Sequence, residues 1–200
     1  MGILLNPNNI DFKRAVNSEI YIDKSELINY TNKVIDTEQR FVCVSRPRRF
    51  GKSMAANMLT AYYSKGCDSR ELFKPYKIAK SDSFEKHLNK YNVIHINMVE
   101  YIGESKSIEE IIQFIEEDII AEITDELPNF KMPRRINLLN VLNYAFAQYG
   151  IPFVFVIDEW DCIFRVYKND SAGQQLYLNY LRTLLKEQPY VALDYATGIL

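Results

Sequence analysis

The chain has few of the residues that let a small protein rely on cross-links or metal ions. Its 200 residues include three cysteines, Cys43, Cys67 and Cys162, widely spaced, odd in number and never in a C-x-x-C pair. That argues against a disulfide framework and is read as reduced thiols. The two histidines, His87 and His95, are too few and too isolated for a catalytic zinc site. His95 reads as a satisfied core or edge residue. Seven glycines and seven prolines exclude a collagen-like or low-complexity chain. No apolar run approaches the roughly 20 residues that span a bilayer. The first residues lack the basic and long apolar regions of a secretory signal. Asn6 stands where a myristoylation motif requires Ser or Thr. A cytoplasmic location is expected by elimination. Charge of one sign is missing too: 24 Lys+Arg oppose 26 Asp+Glu, a net −2. No global field holds nucleic acid or an anionic membrane, so any polyanion site is local.

What is present is a core. Hydrophobic residues make up 48% and charged residues 25%, the mix of a globular domain. The 14 tyrosines and 11 phenylalanines suit half-buried sheets. Residues 1–40 read as an N-terminal arm packed on the core formed by 41–200. Within the arm, Asp23-Lys24-Ser25-Glu26 has the form of a capping box. Phe41–Val44 reads as a strand, followed by a basic turn and a helix over 52–64 that Gly66 is expected to end. Residues 70–90 read as loosely helical and 92–98 as a second strand. Ser107 to Glu110 forms another capping box, opening a helix whose isoleucines at 108, 111, 112, 115, 119 and 123 share one face. The glutamates beside them read as its solvated side. A helix over 137–149 closes at Gly150. Phe153–Ile157 is apolar throughout, as strands covered on both faces are. A helix over 172–186, with Leu176, Leu181, Leu184 and Leu185 as its stripe, and a strand over 191–197 complete the pattern. Alternating strands and helices predict an α/β fold, a mainly parallel sheet with helices on both faces and ligands at the strands' C-terminal ends.

Two motifs fall on that edge. The first strand runs into Ser45-Arg46-Pro47-Arg48-Arg49-Phe50-Gly51-Lys52-Ser53. Strand, turn, Gly-Lys-Ser and helix form the context of a phosphate-binding P-loop. Backbone amides of the turn and of the helix start converge on one concavity. Gly51 admits close approach, Lys52 reaches the β/γ-phosphates, and the Ser53 hydroxyl ligates Mg²⁺. Arg46 stands where the general motif has glycine, and Arg48 and Arg49 add positive charge. An isolated Gly-Lys-Ser would be an ordinary strand-to-helix turn, and the flanking elements are what argue otherwise. The second motif is Asp158-Glu159, closing the third strand. Buried carboxylates need a cation. Asp158 is expected to hold Mg²⁺ and Glu159 to orient an attacking water. The bland alternative is an acidic start to a surface loop. Thr197, ending the fourth strand, is a third catalytic candidate, although threonines also simply cap strands. Asp161 is offered as a partner for a P-loop arginine, with a loop salt bridge of no function as an equal alternative. Arg165 and Arg182 are arginine-finger candidates only by residue type, with surface solvation the plainer reading.

At Tyr21-Ile22-Asp23-Lys24, at the Arg46–Ser53 string, at Ile157-Asp158-Glu159-Trp160-Asp161 and at Thr197-Gly198-Ile199-Leu200, the chain resembles the bacterial AAA-ATPase-like family. The resemblance spans nearly the whole chain and accounts for Arg46. It implies ATP binding, Mg²⁺ dependence and a P-loop sheet of the additional-strand, catalytic-glutamate type. It also implies a C-terminal nuclease-like domain of the PD-(D/E)XK type as a partner in a longer protein, so that the ATPase domain here is expected to be incomplete. Two other functions stay open. One is a nucleotide-binding switch with little turnover. The other is a nucleic-acid module using Arg46, Arg48 and Arg49 with Lys131, Arg134 and Arg135, against which the net charge counts.

Overall fold

The computed structural model describes residues 2–199. Among them, four strands form one parallel sheet in the order β1-β4-β3-β2: β1 Phe41–Ser45, β2 Asn92–Asn97, β3 Phe153–Asp158 and β4 Val191–Gly198. Ahead of β1 come helices α1 (Ile10–Val16) and α2 (Glu26–Val34). Between β1 and β2 lie α3 (Lys52–Tyr63), α4 (Arg70–Phe73), a 3-10 turn (Lys77–Lys80) and α5 (Phe84–His87). Then follow α6 (Met98–Glu104), α7 (Ile108–Glu126) and α8 (Leu138–Tyr149) before β3, and α9 (Cys162–Val166) and α10 (Ser171–Leu185) before β4. The strand that separates the two motif strands is β4. The strand that intervenes in sequence, β2, lies at the far edge.

Alternation along β3 explains its uniform apolarity. Phe153, Phe155 and Ile157 enter the core formed with α7, α8 and α10, whereas Val154 and Val156 enter the core formed with α3. All six residues of β3 are buried. The β2 edge is covered by the N-terminal segment. Leu5 bridges antiparallel to Ile94, and the amides of Ile3, Leu4 and Leu5 donate to the Glu122 carboxylate on α7. Phe12, Ile28 and Val34 of α1 and α2 share the α3-side core.

Several local expectations are corrected. Asp23 does not cap α2. Its carboxylate accepts from the Ser25 amide at 2.8 Å and, across the molecule, from the Lys77 amide at 3.1 Å. Gly66 does not end α3. The helix stops at Tyr63, where the Asn89 side-chain Nδ2 donates to the carbonyls of Ala61 (3.1 Å) and Ser64 (2.7 Å). Gly66 instead gives room to the first residues, since a Cβ there would lie 2.2 Å from the Asn6 carbonyl oxygen. Ile112 and Leu176 lie at the margins of their stripes, half-buried and 41% exposed respectively. Ser107 caps α7 as expected, accepting from the Glu110 amide, but Glu110 reaches the Lys106 amide and not that of Ser107. Gly150 closes α8 at φ 69°.

Candidate functional site

β1 ends at Ser45, the chain turns through residues 46–51, and α3 begins at Lys52. Gly51 takes the left-handed conformation (φ 74°, ψ 33°), which L side chains adopt at a cost. Arg49 shares it at φ 68°. The Arg46 amide donates to the Gly198 carbonyl at 3.2 Å, tying the turn to the end of β4. Among the described residues the amides of Gly51, Lys52 and Ser53 have no protein acceptor, and no side chain caps the helix. These are the donors an anion would take. The Lys52 ammonium folds back into the turn, donating to the carbonyls of Arg46 (3.1 Å) and Pro47 (3.2 Å), and the residue is only 8% exposed. Arg46, Pro47, Arg48, Arg49 and Phe50 are exposed, and among the described residues no carboxylate pairs with the three arginines.

The acids arrive from the middle of the sheet. Parallel register aligns Asn97 with Asp158, Ile157 with Ala196, and Val44 with Thr197. The four strands therefore deliver their last side chains to one edge. Asp158 is 5% exposed and Thr197 is wholly buried, its hydroxyl donating to the Asp158 carboxylate. Asp158 also accepts from the Glu159 amide at 3.1 Å. Glu159 itself sits at φ 55°, a costly conformation for a non-glycine residue. Its carboxylate is held by the Arg165 guanidinium, which also binds Asp161.

Two clefts meet at Ser53. One, of about 320 Å³, brings Arg48, Gly51, Lys52, Ser53 and Glu159 together. The other, of about 290 Å³, carries Ser53, Asn57, His95, Asn97, Glu100 and Asp158. Burial pushes the His95 imidazole below its ordinary pKa, against the pull of Asp158, Glu100 and Asp11. Its Nδ1 lies 3.0 Å from the Thr60 hydroxyl. Among the described residues no cluster of three or more His, Cys, Asp and Glu side chains could hold a metal unaided. Ser53 and Asp158 offer one hydroxyl and one carboxylate, hard oxygen donors but an incomplete set. That fits Mg²⁺, which keeps several waters and takes further oxygens from phosphate.

A family model described as predicted AAA-ATPase matches residues 10–200. The chain belongs to the AAA-ATPase-like family. No curated protein matches it. The α/β fold with an all-parallel sheet agrees with a P-loop NTPase. In this AAA-ATPase-like domain the sequence-derived residues Arg48, Arg49, Gly51, Lys52, Ser53, Asp158 and Glu159 line the paired clefts, whereas Arg46, Pro47 and Phe50 line neither. Thr197 reaches them through Asp158, because its hydroxyl is buried and already engaged. Asp161 pairs with Arg165, the loop salt bridge of its two readings and not the turn arginine, and Arg165 is thereby ion-paired and not merely solvated. Arg182 lines a separate groove with Phe41, Cys43 and Asp194, on the face of β1 turned away from α3. Lys131, Arg134 and Arg135 line neither cleft. Sequence reading missed Asn97 and Glu100. Only the position of Asn97 at the end of a strand could have signalled it.

Proposed function

We propose that this domain binds ATP with Mg²⁺ at the Arg46–Ser53 turn and hydrolyses it. The observation that carries the reading is the Lys52 ammonium held among carbonyls of a turn with open amides, one cleft away from a buried Asp158. In this reading the amides of Gly51, Lys52 and Ser53 grip the phosphates and Lys52 swings from its carbonyls to the β/γ-oxygens. Ser53 and Asp158 would hold Mg²⁺, which supplies charge neutralisation to the phosphates when bound. Thr197 fixes the Asp158 carboxylate, and Glu159 orients the attacking water. The free thiols of Cys43, Cys67 and Cys162 fit a reducing, cytoplasmic compartment. No helix among the described residues is long and apolar enough to cross a membrane.

The test is Mg²⁺-dependent phosphate release. Lys52→Ala and Glu159→Gln are each expected to lower it by at least a hundredfold, the scale of lost electrostatic or general-base assistance (about 10²–10³). Equal rates in all three proteins would remove the enzymatic reading. A second reading, a nucleotide switch with slow turnover, is favoured by one observation: Arg165 occupies the carboxylate of Glu159. Nucleotide binding without phosphate release would select it.

A further inference from the structure

The N-terminal arm places one charge against the phosphate turn, from outside. Lys24, just before α2, donates its ammonium to the Phe50 carbonyl at 2.8 Å. Among the described residues no carboxylate pairs with it. The contact is close: a Cβ on Gly51 would lie 2.7 Å from Lys24 Nζ, so the glycine makes room for the lysine as well as for its own φ of 74°. Phe50 C=O and Gly51 N–H belong to one planar trans peptide unit and point in opposite directions. A cation on the oxygen draws electron density from the nitrogen and makes the N–H a stronger donor. That N–H is one of the amides without a protein acceptor.

The mount for Lys24 is rigid. Asp23 is fixed by the amides of Ser25 and Lys77. The Ser25 hydroxyl accepts from the Ile78 amide at 3.1 Å. Behind them, α2 is joined to α3 by Tyr63, whose hydroxyl lies 2.7 Å from Thr31 Oγ1 and 2.8 Å from Asn32 Oδ1. The arm and the P-loop helix are therefore tied together, with the lysine between them.

We infer that Lys24 is a positioning residue for triphosphate binding: through the Phe50–Gly51 peptide it orients and polarises a backbone donor that it does not share with the ligand. The inference rests on the nucleotide reading above and adds an element outside the turn. It separates two lysines by task. Lys52 meets the phosphates, and Lys24 prepares the amide that meets them.

The experiment measures affinity for Mg²⁺-ATP and for inorganic tripolyphosphate, with melting temperature in the absence of ligand, on the full chain. Wild type, Lys24→Met, Lys24→Arg and Lys52→Ala are compared. Lys24→Met is expected to bind both ligands about tenfold more weakly, the scale of one charge-assisted hydrogen bond. Lys24→Arg should restore most of that loss, and melting of the free proteins should agree within a few degrees. Wild-type affinity in Lys24→Met overturns the inference. So does a loss that arginine fails to rescue, or one that follows the melting temperature of the free protein, since either marks a brace for the fold. Binding of neither ligand by wild type removes the nucleotide reading itself, an outcome distinct from the others.

Discussion

At the scale of single residues, the least expected feature is the engagement of Glu159. For the role proposed above its carboxylate has to be free to accept a proton from water, and here it is ion-paired to Arg165 while its backbone sits at φ 55°. Releasing it should matter. Arg165→Ala is expected to raise basal phosphate release severalfold, whereas Glu159→Gln should abolish it in either background. Steady-state turnover of the single and double variants checks this, and slower turnover in Arg165→Ala would show that the guanidinium assists. The sequence could not reveal the pair. Residues 159 and 165 match no helical spacing, because a turn separates Glu159 from α9. Lys24 stood inside one of the family-like strings, but its contact was equally invisible, since its partner is a backbone carbonyl 26 positions away. The Arg46–Ser53 string was legible because its chemistry is local.

Elements record a balance between pattern and long-range demand. β4 carries Asp194 in an otherwise apolar run, its Oδ1 buried without a hydrogen-bond partner. Burial raises its pKa from 3.8 to about 7. The folded state therefore keeps a proton that the unfolded chain releases near pH 4. Its contribution is complete below that value and is lost as pH rises toward 7, a cost on the order of 4 kcal/mol once both states are ionised. Asp194→Asn should thus gain stability over the parent at pH 8 and lose that advantage at pH 4, read from urea midpoints. Equal differences at the two pH values would show that the carboxyl is not protonated in the fold. The major strands and the longer helices were legible because alternation and the 3.6-residue period survive in them. The short helices α6 and α9 were not, having too few turns to show a period. The proposed cap at Asp23 failed because its carboxylate is shared between the Ser25 amide beside it and the Lys77 amide, 54 positions on. Local signals cannot see such a competitor.

For the whole molecule, the fold converts distant motifs into one surface. Net charge of −2 gives no general attraction for polyanions, so the binding proposed above rests on the turn and its exposed arginines. Saturating Mg²⁺-ATP at a hundred times its Kd should add about 2.7 kcal/mol of stability. In a chain of this length that is a rise of about 5–10 °C in melting temperature. Differential scanning fluorimetry on wild type and Lys52→Ala checks it, and an equal shift in both would place the ligand elsewhere.

The sheet order sets a schedule for synthesis. β4 is the last of the four strands to leave the ribosome, yet it is the one wedged between β1 and β3. Until Thr197 has emerged, the basic turn and both acids are already made, but nothing ties β1 to β3, since β1 hydrogen-bonds to β4 alone. On the function proposed above, the grip on phosphate waits for β4, whose Gly198 carbonyl ties down the Arg46 amide and whose Thr197 hydroxyl engages Asp158.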